Sequence, residues 1–137
     1  MERWFVDTSF LIALCSGADR HHEQAGRLLD QVEAQEVHLV TTSAVLLELG
    51  AALSRLRHRA GAATVIRELQ ADARVEIVSV HGELLEQALA LFETRTDKEW
   101  SVADCASFEV MRARGITRAL TADKHFEQAG FQTLLTV

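Results

Sequence analysis

Short β-rich runs alternate with longer stretches of helical periodicity along this chain, and that alternation restricts the fold more than any single motif does. The extended runs are residues 3–6, 37–41, 75–80, 119–121 and 131–135. Between them, apolar spacing fits helices over 8–15, 21–35, 43–57, 60–73, 82–95 and 101–114, the last stopped by Gly115. Strands that take turns with helices imply parallel pairing, because each crossover helix returns the chain to the same edge. The expected fold is α/β: three layers, α/β/α, with a mostly parallel central sheet of four to five strands. Ligands of such sheets sit beyond the carboxyl ends of the strands.

At 137 residues, 48% hydrophobic and 25% charged, the chain has the size and apolar content of one self-supporting domain. No proline, glycine-rich linker or repeat marks a boundary, so 1–137 reads as a single domain. Cys15 and Cys105 fit no disulfide or zinc framework. Neither a leader nor an apolar run of membrane-spanning length is visible, and the expectation is a cytoplasmic protein away from membranes. The net charge of −6 argues against gripping nucleic acid by bulk electrostatics. Acids clustered around divalent cations count as negative in that sum, yet once loaded they present positive charge to a phosphate.

Four acids fall at element junctions. Asp7 ends the first extended run, and Asp123 follows the fourth in ALTADKHF. Asp104 lies in the first turn of the helix that opens at Ser101. On a helical wheel, Glu48 sits beside Ala52 at the edge of an apolar stripe of Val45, Leu49, Ala52, Leu53 and Leu56. Desolvating a carboxylate costs free energy unless a cation or donor meets it, and gathered carboxylates oppose one another's ionisation. Hard divalent cations such as Mg²⁺ and Mn²⁺ resolve that conflict. Singly, each acid also has a plainer role. Ser101 and Asp104 match the S-x-x-D capping box, Asp7 and Asp123 can cap helices, Asp97 can sit in a solvated turn, and Glu48 can pair with Arg55 or His58. Convergence of all four on one rim is what favours a metal site.

Three segments, FVDTSFLIAL, TTSAVLLELGAAL and TDKEWSVADCASFEVMRARGITRALTADKHFEQAGF, carry a more specific pattern. Through them the chain resembles, over essentially its whole length, the PIN-domain ribonucleases that serve as VapC-type toxins in type II toxin–antitoxin pairs. The resemblance implies that Asp7, Glu48, Asp104 and Asp123 are catalytic acids holding Mg²⁺ or Mn²⁺, with Asp7 and Asp104 central. It implies that Thr8 and Ser101 orient carboxylates or waters, and that Asp97 is a further acid at the mouth of the site. The implied reaction is metal-assisted hydrolysis of RNA to a 5′-phosphate and a 3′-hydroxyl. The implied partners are RNA, a cognate antitoxin protein and a second copy of the chain in a homodimer.

Cationic grip on RNA has candidates in Arg55, Arg57, Arg59, Arg112, Arg114, Arg118 and Lys124, although such runs are usually solvated faces. With 6% aromatic residues a base-stacking platform is not expected, which leaves RNA shape as the source of specificity. His125 lies near the acids, where packing or an RNA contact explains it equally well. Cys105, Trp4 and Trp100 read as core. Two other functions fit the fold. One is a Mg²⁺-dependent phosphoryl-transfer or phosphatase-like domain, although Ser9 stands where its second acid is expected. The other is a non-catalytic binding module of the same scaffold, against which the intact acids speak.

Overall fold

A computed structural model of the chain describes residues 1–136. Its strands are β1 (Arg3–Val6), β2 (His38–Thr42), β3 (Val75–Val78), β4 (Arg118–Leu120) and β5 (Gln132–Thr133). All pairings are parallel, and the strand order is β3-β2-β1-β4-β5. The chain therefore moves outward from β1 to β3 and then crosses back to lay β4 against the other side of β1. That reversal opens a crevice beyond the ends of β1 and β4, the place where open α/β sheets bind ligands. Buried Trp4, Phe5 and Val6 match the continuous apolar character of a central parallel strand covered on both faces.

Helices α1 (Thr8–Cys15), α2 (His22–Ala34), α3 (Ser43–Ala52) and α4 (Leu56–Ala71) form one packed group. The other contains α5 (Gly82–Thr94), α6 (Val102–Ala113) and α7 (Lys124–Gln128). This is the expected α/β/α sandwich. Among the described residues no helix is long and apolar enough to cross a membrane.

The second helical group is organised by aromatic contacts. Phe108 of α6 meets Trp100 edge-on at 4.9 Å and Phe126 of α7 at 5.0 Å, with Phe131 at 5.7 Å. Trp100 keeps its one polar atom satisfied by donating Nε1–H to Gln128 Oε1 at 3.0 Å. The cluster locks the start of α6 to α7, and these are the segments that carry Asp104 and Asp123.

The boundary between α3 and α4 differs from expectation. One helix through 57 and the next from 60 become helices ending at Ala52 and starting at Leu56. Leu53 leaves helical geometry while burying its side chain, and Arg55 takes an extended conformation that starts the next helix. No glycine or proline stands at this break; Leu53 is the buried C-cap of α3 and its N–H closes the last turn on Leu49 O. The wheel's stripe is cut accordingly: Val45, Leu49 and Leu53 are buried, whereas Ala52 and Leu56 face solvent.

Phe108→Ala should cost about 3–5 kcal/mol of unfolding free energy, the scale for a truncated core aromatic. A urea titration that shows a loss below about 1 kcal/mol would mean the aromatic cluster does not hold α6 against α7.

Candidate metal centre

Asp7 follows directly from β1. Its N–H extends the sheet by donating to Leu120 O at 3.1 Å, which fixes the residue at the crevice between β1 and β4. Its side chain is buried, and Oδ2 accepts hydrogen bonds from the Thr121 hydroxyl at 2.7 Å and the Ser9 hydroxyl at 3.4 Å. Those hydroxyls lie 3.0 Å apart, and each accepts a backbone N–H: Ala122 N–H on Ser9 Oγ, Asp123 N–H on Thr121 Oγ1, both 3.0 Å. One hydroxyl pair thus ties Asp7 to the segment leading into Asp123. Burial pushes the Asp7 carboxyl up from its ordinary 3.8 to about 6. The Thr121 hydroxyl and the Thr8 N–H pull against that rise, while the negative charges of Asp123 and Asp104 add to it.

Asp104 sits three residues past the N-cap of α6. Ser101 and Asp104 form a reciprocal capping box, Ser101 N–H on Asp104 Oδ2 and Asp104 N–H on Ser101 Oγ, both 3.0 Å. Asp123 caps α7, with Oδ1 accepting His125 N–H at 2.9 Å. His125 Nδ1 lies 3.0 Å from Asp104 Oδ2 and 3.5 Å from Asp123 Oδ1. One ligand atom from each of Asp104, Asp123 and His125 falls within 4.8 Å of the others, a spacing that fits a metal-binding site.

Glu48 reaches this group from the second turn of α3. Thr8 Oγ1 donates to its Oε1 at 3.0 Å, and no ion pair joins Glu48 to Arg55 or His58 among the described residues. Its carboxyl is raised first by desolvation and then by the charges of Asp104 and Asp123. Asp97 is exposed and held by Arg95 at 3.0 and 3.2 Å, with Lys98 at 3.7 Å. The Arg95 bond draws its carboxyl down to about 2. Arg95 in turn stacks over Trp100 at 4.7 Å, so Asp97 serves as counterion to its own loop. Cys105 is buried, which pushes its thiol up to about 11 and leaves it inert as a nucleophile.

Ser9 and Thr121 are site residues that sequence reasoning does not single out, since their contact joins positions separated by 112 in the chain. Among the described residues, no lysine or arginine pairs with Asp7, Glu48, Asp104 or Asp123. Carboxylates gathered around the buried Asp7, with Glu48 exposed at the edge and no lysine or arginine partner, offer the oxygen-rich chemistry that hard divalent ions prefer.

The PIN domain family matches residues 4–132. The chain belongs to the PIN-domain family. The 23S rRNA-specific endonuclease VapC20 of Mycobacterium tuberculosis is 38% identical over 128 residues, which cover 93% of this PIN domain's chain and 94% of the relative. The crystal structure of M. tuberculosis VapC20, a sarcin-ricin loop cleaving toxin, superposes with a TM-score of 0.80 at 33% identity, over 93% and 95% of the two chains. VapBC2 from Rickettsia felis, solved bound to a promoter DNA fragment, shares the fold at a TM-score of 0.67 and 14% identity, over 96% of each chain. The similarity to VapC20 makes this a PIN domain of the VapC type.

A pH test follows from Asp7. Its folded value of about 6 lies above the ordinary 3.8, so the folded chain holds this proton more tightly than the unfolded chain does. The associated stability is complete below about pH 4 and is lost as pH rises through about 6. In EDTA, Asp7→Asn should therefore be more stable than wild type above that window, by on the order of 2–3 kcal/mol. The gap should close as pH falls toward 4. A gap that stays constant across the range would contradict a desolvated Asp7 carboxylate.

Proposed function

We propose that this PIN domain is a divalent-metal-dependent endoribonuclease, the toxin of a toxin–antitoxin pair, and that it cuts the sarcin-ricin loop of 23S rRNA. The observation that supports the proposal is the cluster of Asp104, Asp123 and His125 within 4.8 Å, with the buried Asp7 and with Glu48 close enough to feel the charges of Asp104 and Asp123. The substrate is assigned through the similarity to VapC20, which extends over nearly the full length of both chains.

Asp7 and Asp104 would be the central ligands of Mg²⁺ or Mn²⁺, with Glu48 and Asp123 completing the shell directly or through water. A divalent cation bound there supplies Lewis acidity, lowering the pKa of an attacking water and offsetting charge that builds on the phosphate. The chain's own work is orientation. Ser101 N–H holds Oδ2 of Asp104, Thr8 holds Oε1 of Glu48, and His125 N–H holds Oδ1 of Asp123. Among the described residues the second oxygen of each of these three accepts no hydrogen bond and is left for a ligand. Thr121 fixes Asp7 from beneath.

Of the cations proposed to grip RNA, Arg112, Arg114 and Arg118 pair with Glu109, Glu76 and Glu2. That favours Arg55, Arg57, Arg59 and Lys124 for contact with the phosphate backbone. Exposed Leu47 and Leu56, at 75% and 89%, supply apolar surface for a second copy of the chain or for the antitoxin.

Primer extension on bacterial ribosomes treated with the purified protein tests this reading. A single stop within the sarcin-ricin loop is expected, abolished by EDTA. Asp104→Asn should weaken it at least about 100-fold, the scale for removing one group that stabilises developing charge. Cleavage confined to other RNA would overturn the substrate. Cleavage that survives both EDTA and Asp7→Asn would overturn the metal nuclease.

A further inference from the structure

His125 touches both rim acids, and neither the family resemblance nor the reaction above gives its ring a role. Its main-chain N–H holds Asp123 Oδ1 at 2.9 Å, while its ring Nδ1 meets Asp104 Oδ2 at 3.0 Å. One residue therefore spans the gap between two carboxylates that repel each other. We propose that His125 is a positioning residue, whose main-chain N–H and Nδ1–H together set the Asp104–Asp123 separation for the cation while Nδ1 itself is no ligand. The proposal rests on the metal-centre reading above.

Three observations carry it. Asp104 Oδ2 already accepts Ser101 N–H at 3.0 Å, and a carboxylate oxygen in this contact can only accept. Nδ1 must then bring the proton, which takes that nitrogen out of the ligand set and leaves the ring's one lone pair on Nε2. With both contacts on Oδ2, Asp104 Oδ1 accepts no hydrogen bond among the described residues and keeps its lone pairs for a ligand. Finally, His125 is anchored. The next residue, Phe126, is buried against Phe108 at 5.0 Å and Phe5 at 6.1 Å, so α7 transmits a fixed position from the core to the imidazole.

Mn²⁺ titration of the purified protein, by calorimetry or by the EPR signal of free Mn²⁺, tests the idea on wild type, His125→Ala, His125→Asn and His125→Gln. Asparagine can place an N–H donor near the site of Nδ1, whereas glutamine reaches toward the Nε2 position. His125→Ala and His125→Gln should weaken Mn²⁺ binding about 10-fold or more, the usual scale for a group that orients a metal ligand. His125→Asn should stay within about 3-fold of wild type, and pulsed EPR of the Mn²⁺-loaded wild type should show no directly bound ¹⁴N. Wild-type affinity in His125→Ala, or asparagine as weak as alanine, would overturn the positioning role. A strong ¹⁴N coupling would overturn it too, by making His125 a ligand. Should His125→Ala fail to fold, ¹⁵N NMR of the metal-free wild type still decides, with a proton on Nδ1 expected and a proton only on Nε2 contradicting the proposal. Absence of Mn²⁺ binding in wild type would instead defeat the metal centre, and this inference with it.

Discussion

Burial of the Asp7 carboxylate beside other acids, at the carboxyl ends of β1 and β4, is the constraint on which the account of this site depends. Asp7 is buried and its carboxyl is pushed to about 6, with Asp123 and Asp104 adding to the cost, yet no lysine or arginine among the described residues relieves it. The chain answers with neutral donors instead. Hydroxyls of Ser9, Thr121 and Thr8 and backbone N–H groups at two helix starts hold single oxygens of the acids in place. Neutral donors fix geometry without cancelling charge, which leaves the electrostatic demand for an added cation intact. The cluster is thus a destabilised element that the surrounding fold keeps assembled, as functional sites commonly are.

Topology makes that assembly possible. Crossing back from β3 to β4 puts the end of β4 beside the end of β1, so two acids far apart in sequence face one crevice. The Trp100–Phe108–Phe126 contacts then bring the start of α6 to the start of α7. Helix capping and metal binding are not competing explanations of Asp104 and Asp123. A cap uses one carboxylate oxygen and orients the other, so capping is the means by which these two side chains are aimed.

Much of this was legible in the residues. Alternation of strand and helix periodicity was enough for the parallel sheet, and acids placed just after extended runs pointed to its carboxyl rim. The family pattern in the segment from Thr96 to Phe131 singles out Asp104 and Asp123, which the fold brings within reach of each other beside His125. What the sequence hid depended on contacts between distant positions. The α3 helix ends at Ala52 with Leu53 as its buried C-cap, and nothing in the local sequence marks that stop. Thr8 reads as a neighbour of Asp7, yet its hydroxyl serves Glu48, forty residues on. Asp97 shares a segment with Ser101 and Asp104 but is engaged by Arg95 and Lys98, a local ion pair that motif spacing does not reveal.

The most direct measurement is an anomalous diffraction map from crystals grown with Mn²⁺. Convergent carboxylates that require a cation should produce a peak between Asp7 and Asp104, within roughly 2.0–2.5 Å of an oxygen from each. An empty crevice at Mn²⁺ concentrations that support RNA cleavage, or a peak only elsewhere on the surface, would contradict the cation-dependent site.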